Sequence, residues 1–202
     1  MSAPFTAADG QALAGLAVAA VAARLAGHPL AGAAPVSTAL RAHGASFVTL
    51  TTGGALRGCI GSLEPVRPLY RDVTRNALRA MTDPRLPPVT PPDWPVLDIS
   101  VSVLSPAEPL PCPTRESLLA ALRPGVDGLT LTAGRRRSTF LPAVWEKLPT
   151  PDRFVAGLLA KGGWPARGWP AGLSADRYTA VEFHDRSPRP GIDPVGDGRG
   201  GV

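Results

Sequence analysis

Three features of the sequence predict an α+β protein. Helical and strand-like segments are interspersed, strand pairs are joined by short glycine turns instead of repeated helical crossovers, and no stretch repeats another. At 202 residues, 44% hydrophobic and 18% charged, the chain is long enough for one globular domain with its own core. The expected arrangement is an antiparallel or mixed sheet with flanking helices.

The first element is a helix. Thr6 suits its N-cap, Asp9 sits at the third helical position, and Gly27 stops it. Val18, Val21 and Leu25 share one face. Residues 28–35 form a Gly/Pro/Ala connector. Residues 46–52 (Ser-Phe-Val-Thr-Leu-Thr-Thr) read as a strand, and Gly53-Gly54 as a two-residue turn into a second arm. That register sets Leu50 opposite Arg57, Val48 opposite Cys59 and Phe47 opposite Ile60. It also places Arg57 and Cys59 on one face.

Pro68 opens a helix to about Met81, with Leu69, Val73, Ala77 and Met81 spaced four apart. Arg71, Arg75 and Arg79 form a second, like-charged stripe. Prolines around Asp83 and Arg85 end that helix. Residues 97–104 alternate Leu97, Ile99, Val101 and Val103 with Asp98, Ser100 and Ser102, the pattern of a half-buried strand. Thr114 caps a short helix to Leu122, and residues 128–132 and 138–141 form a hairpin. Helical segments follow at residues 142–148 and 151–161, with Gly162 after the second, and residues 178–183 make a last strand. From Asp185 onward the chain is rich in Pro and Gly without apolar periodicity, which predicts a disordered tail.

The net charge is +5. Only Lys147 and Lys161 among the 21 basic residues are lysine, so a general preference for arginine accounts for much of that charge. Nucleic acid is therefore not the expected partner. Cys59 and Cys112 have no metal-type spacing, and His28, His43 and His184 are scattered, so no metal or cofactor is implied. The apolar run at residues 12–23 lacks a positive leader, is broken by Gly15 and is too short to span a bilayer. A cytoplasmic protein without a membrane segment is expected.

The unusual stretch is residues 56–61, Leu-Arg-Gly-Cys-Ile-Gly. Interior glycines weaken a strand, so Gly58 and Gly61 mark either a bulge or a close approach. With the following helix and Asp83-Pro-Arg85, this stretch resembles the signature of the AMMECR domain family, which includes the A component of the AmmeMemoRadiSam system. The resemblance continues, in the family's order, through residues 100–105 (Ser-Val-Ser-Val-Leu-Ser), 125–128 (Gly-Val-Asp-Gly), 139–142 (Thr-Phe-Leu-Pro) and 161–163 (Lys-Gly-Gly). It departs from the family at Leu86, where an aromatic residue is usual. The resemblance covers residues 6–184, leaving 185–202 as the tail. It implies a larger and a smaller subdomain in one compact unit, and Memo-type or radical SAM proteins as partners. It brings no established reaction.

Two readings of the stretch stand side by side. In the first, Cys59 is a nucleophile or lines a ligand site, with Arg57, Arg85 and the arginine stripe supplying positive field. Gly58 and Gly61 then admit a small anionic ligand, and Asp83 and Lys161 orient it. No histidine is tied to Cys59 by a motif to act as base. In the second reading Cys59 is a small packed hydrophobe, and the arginines pair internally, with Asp83, Asp127 and Glu64 as candidate partners. The function expected is a small-molecule enzyme or enzyme component acting on an anionic metabolite. The alternatives are a non-catalytic adaptor and an RNA- or nucleotide-binding protein.

Overall fold

The computed structural model describes residues 5–30 and 37–192. The chain divides into two compact units, a larger one of Met1–Val103 and Val181–Val202 and a smaller one of Leu104–Ala180. Each contains its own four-stranded sheet, so the α+β class holds while the single sheet becomes two.

The larger unit carries helices α1 (Ala7–Ala26), α2 (Thr38–Arg41) and α3 (Leu69–Ala80), and a 3-10 helix at Pro91–Val96. Its strands β1 (Ala45–Thr52), β2 (Ala55–Gly61), β3 (Leu97–Leu104) and β8 (Ala180–Asp185) lie in the order β2-β1-β3-β8. Thr6 and Asp9 form a reciprocal capping box on α1, and Gly27 ends it with a left-handed φ of 73°. Leu13, Ala17, Ala20 and Val21 of α1 are fully buried. The predicted face was therefore drawn too narrowly, because alanines carry half of it. At 20 residues, α1 is long and apolar enough to cross a membrane by length and composition, although the shorter run at 12–23 is not. In this fold its buried face belongs to the core.

Helix α3 packs against α1 on one side and against β1 and β2 on the other. Leu69, Val73, Ala77 and Met81 are all buried, as their four-residue spacing requires. Its first turn is fixed by Asp72, whose carboxylate accepts from the Ser46 amide at 3.0 Å, the Ser46 hydroxyl at 2.8 Å, Asn76 at 3.0 Å and the Ser62 hydroxyl at 2.9 Å. Arg67 completes the set as an ion pair. A fully buried carboxylate is tolerated because its acceptor positions are filled in this way.

The smaller unit contains β4 (Glu108–Pro109), α4 (Arg115–Ala121), β5 (Gly128–Ala133), β6 (Arg136–Phe140), a 3-10 turn (Pro142–Glu146), α5 (Pro151–Lys161) and β7 (Ser174–Tyr178). Its strands run β4-β7-β5-β6. Its core is built on Leu129, Leu131, Phe154 and Leu158, with the Trp145 and Phe154 rings stacked at 3.9 Å. Thr114 caps α4 as expected, and Thr150, not singled out in the sequence, caps α5. The positive φ after α5 falls on Gly163, not on the predicted Gly162.

The last predicted strand, residues 178–183, falls mostly in β8, and β7 before it was not predicted. Tyr178 ends β7 in one sheet and Ala180 starts β8 in the other, so the apolar run crosses from one unit to the other. Part of the segment read as tail is held by hydrogen bonds. The Ser187 amide and hydroxyl donate to Asp98 at 2.7 and 3.0 Å, and Trp94 Nε1 donates to the Pro190 carbonyl at 2.9 Å. Of the predicted tail, residues 193–202 lie outside the described residues, as do residues 31–36 of the connector and its end.

Candidate functional site

The β1–β2 hairpin turns on Gly53 and Gly54, with φ of 55° and 80°, the two positive values a tight I′-type turn demands. Thr52 pairs with Ala55 and Thr51 with Leu56, as the glycine turn predicts. The register then shifts, so Gly58 faces Leu50, Cys59 faces Thr49 and Ile60 faces Val48. Arg57 is the extra residue of a β-bulge and has no partner on β1. This corrects the unbulged register. The shared face of Arg57 and Cys59 no longer follows from strand alternation.

Both glycines are there for close approach, and the approaching groups are the protein's own. A Cβ on Gly58 would lie 1.9 Å from the Ala80 carbonyl oxygen at the end of α3. A Cβ on Gly61 would lie 2.2 Å from the Phe47 ring. The room that Gly58 and Gly61 make is therefore filled from within.

Strand β2 is a sheet edge, so alternate backbone groups face away from β1 and need other partners. At Cys59 the residues after α3 supply them. The Cys59 amide donates to Asp83 Oδ2 at 3.0 Å, and Arg85 Nη2 donates to the Cys59 carbonyl at 2.9 Å. Arg85 also binds Asp83 through Nε at 2.8 Å and through its own amide at 3.1 Å. An acceptor and a donor, locked to each other, thus stand where a neighbouring strand's peptide would be. Pro84 between them cannot continue a helix, so the chain turns there and brings both side chains back to the strand.

The hydrogen bond from Arg85, first among several causes, holds the Asp83 carboxyl well below the usual carboxylate range, and the same bond raises Arg85. The Asp83 side chain is fully buried while that of Arg85 is 60% exposed, so the guanidinium presents charge to solvent beside Cys59. The thiol is half-buried and accepts from the Thr49 hydroxyl at 3.4 Å.

The other predicted residues fall in different places. Arg57 pairs with Asp93 at 2.9 Å and reaches the Pro88 carbonyl at 3.4 Å. Asp93 was not among its predicted partners. It was legible only as the third residue after Thr90, whose amide and hydroxyl it accepts in a capping box. Lys161 belongs to the smaller unit, where Nζ donates to the Thr139 carbonyl at 2.8 Å. Asp127, also in that unit, is a buried acceptor for the amide and guanidinium of Arg123, so its arginine partner is neither Arg57 nor Arg85. The structure thus brings Cys59, Asp83 and Arg85 together and sends Arg57 to a separate pair. Among the described residues no cluster of three or more His, Cys, Asp or Glu could hold a metal ion.

The sequence elements that form this clip lie within a pattern shared with other proteins. The AMMECR1 family pattern matches residues 14–183. The chain belongs to the AMMECR1 family. A relative from Methanothermobacter thermautotrophicus is 41% identical over 125 residues, 59% of this chain and 63% of the relative. One from Methanocaldococcus jannaschii is 35% identical over 152 residues, 71% of this chain and 74% of the relative. The matched segment also spans only 64% of a relative from Thermofilum pendens. The fold is similar to the crystal structure of the uncharacterised protein PH0010 from Pyrococcus horikoshii. That similarity has a TM-score of 0.82 at 30% identity and covers 89% of this chain and 92% of that one. In this AMMECR1-family chain, then, residues 56–61 and 83–85, both inside the matched segment, are joined by hydrogen bonds.

Proposed function

We propose that the corner formed by Cys59, Asp83 and Arg85 is a small-molecule site of an enzyme, or of an enzyme component, that acts on an anionic metabolite. The observation that carries this reading is the combination of a backbone fixed on both polar groups with a half-exposed thiol and a guanidinium open to solvent. Preorganisation of this kind favours a reacting group held in one geometry. Arg85 supplies the anion contact, and its planar fork suits a carboxylate or phosphate. In the covalent step the Cys59 sulfur adds to a carbonyl carbon of the substrate, the C=O π pair moves onto the carbonyl oxygen, and the thiol proton passes through water to that oxygen, giving a thiohemiacetal. A cytoplasmic setting belongs to the same proposal, since a free thiol persists there.

A second reading is favoured by the hydroxyl of Thr49 being the sulfur's hydrogen-bond partner, since Thr49 is not a general base. In that reading the corner is a rigid docking surface for a Memo-type or radical SAM protein, and the chain acts as an adaptor.

Iodoacetamide labelling across a pH series, read by mass spectrometry at Cys59 and Cys112, separates the two readings. The enzyme reading expects Cys59 to be modified in the native fold well before Cys112, whose thiol burial pushes up. Labelling of Cys59 only after unfolding would overturn it. Co-purification with a partner that survives Cys59→Ser would support the adaptor.

A further inference from the structure

On the side of the larger unit away from the hairpin, α1 and α3 border an open groove of about 1200 Å³. Its α3 wall is the arginine stripe, with Arg71, Arg75 and Arg79 exposed at every fourth residue. Arg24 and His28 stand at the α1 side. Between them the surface is apolar, from Leu16, Ala19 and Ala23 of α1 and Tyr70 and Leu78 of α3, with Ile192 at one end. No carboxylate among the described residues lines the groove, and none of its four arginines is in an ion pair among those residues. Arg71 instead lies over the Tyr70 ring at 5.6 Å and bonds its hydroxyl at 2.9 Å.

Two features of this surface are unfavourable for a face that meets only water. Helix α1 is apolar nearly all round, a composition that normally belongs to a helix covered on every side. Like charges four residues apart on α3 repel one another. A single occupant with an apolar seam and a row of carboxylates relieves both.

The geometry points to an acidic amphipathic helix of a partner protein as that occupant. The walls are helices rather than open strand edges, so the helix-in-groove mode applies instead of strand addition. Arginines four residues apart on α3 recur every ~6 Å along its axis, and Glu or Asp at every fourth position of a helix lying alongside recur at the same interval. The alanines on the α1 wall let such a helix come close while its leucines meet Leu16 and Leu78. A flat bilayer would touch the rims of a concave groove and leave its floor unfilled. This inference goes beyond the Cys59 corner and does not rest on it.

The test uses the full chain and a fluorescein-labelled helical peptide of about four turns with Glu at every fourth residue beside a leucine seam. Fluorescence anisotropy is expected to show binding that weakens with salt. It is expected to weaken roughly tenfold or more in Arg75→Glu/Arg79→Glu. The same peptide with Lys in place of Glu should bind that variant better than the native chain. Both arginines are exposed, so the thermal melt should be retained, and Arg75→Gln/Arg79→Gln serves if it is not. Equal binding of the Glu and Lys peptides, or affinity unaffected by the variants, would overturn the inference. So would binding confined to phosphatidylglycerol vesicles.

Discussion

The Asp83 carboxylate accepts the amide of Cys59 at 3.0 Å across the open edge of β2, and Arg85, bound to the same carboxylate, donates back to the Cys59 carbonyl at 2.9 Å. This arrangement turns a sheet edge into a closed corner. It also ties Leu-Arg-Gly-Cys-Ile-Gly to Asp-Pro-Arg in this chain: the second supplies hydrogen-bond partners that the edge of the first lacks.

Removal of Asp83 leaves the half-buried Cys59 amide and the Arg85 guanidinium without their acceptor. Asp83→Ala is expected to cost about 3 kcal/mol, measured by urea unfolding at neutral pH. The advantage over the variant should also depend on pH. The folded carboxyl titrates below its ordinary 3.8, so its contribution is fully present above about pH 4 and is lost as pH falls toward the folded value. The two stabilities should therefore converge in acid. A constant gap down to the acid limit of folding would contradict the assignment.

Gly58 and Gly15 should respond in opposite ways to the same substitution. At Gly58 the added methyl meets the Ala80 carbonyl at 1.9 Å, a backbone atom that moves only if α3 moves, so Gly58→Ala should destabilise by roughly 2–3 kcal/mol. At Gly15, inside α1, no atom lies within 4 Å of the added Cβ, and Gly15→Ala should stabilise by about 0.5–1 kcal/mol. Thermal melts of the two variants decide both.

Burial pushes Tyr178 from 10.0 up to about 12, with its hydroxyl donating to the Phe140 carbonyl at 3.0 Å. Between those two values the unfolded chain loses the phenolic proton while the folded chain keeps it, so stability falls as pH rises through that window. The loss should approach roughly 3 kcal/mol and be absent in Tyr178→Phe. Absorbance titration should show a phase near pH 12 that is missing in Tyr178→Phe. A single phase near the ordinary value would refute the shift.

Much of the fold could be read from local chemistry. Thr6 and Thr114 cap the helices they were expected to cap, and the alternation in residues 97–104 gives β3 its bounds. Tertiary contacts decided the rest. Gly58 marked either a bulge or a close approach, and the structure has both, because Gly58 meets α3 while the glycine turn fixes the other end of β2. Strand β7 was hidden because its Ser-Ala-Asp-Arg-Tyr sequence carries little apolar pattern, and only Tyr178 fell inside the predicted strand. The pairing of Arg85 with Asp83 was among the internal partners anticipated, since the two are close in sequence. That of Arg57 with Asp93 was not, because it spans 36 residues.

The amide of Cys59 gives the most direct test of the clip. Hydrogen exchange at that single site, compared between the native chain and Asp83→Asn under conditions where both are folded, reports whether a side-chain pair stands in for a strand. The account predicts slow exchange in the native chain, comparable with paired residues of β1, and at least tenfold faster exchange in the variant. Fast exchange at Cys59 in the native chain, or equal rates in the two, would contradict it.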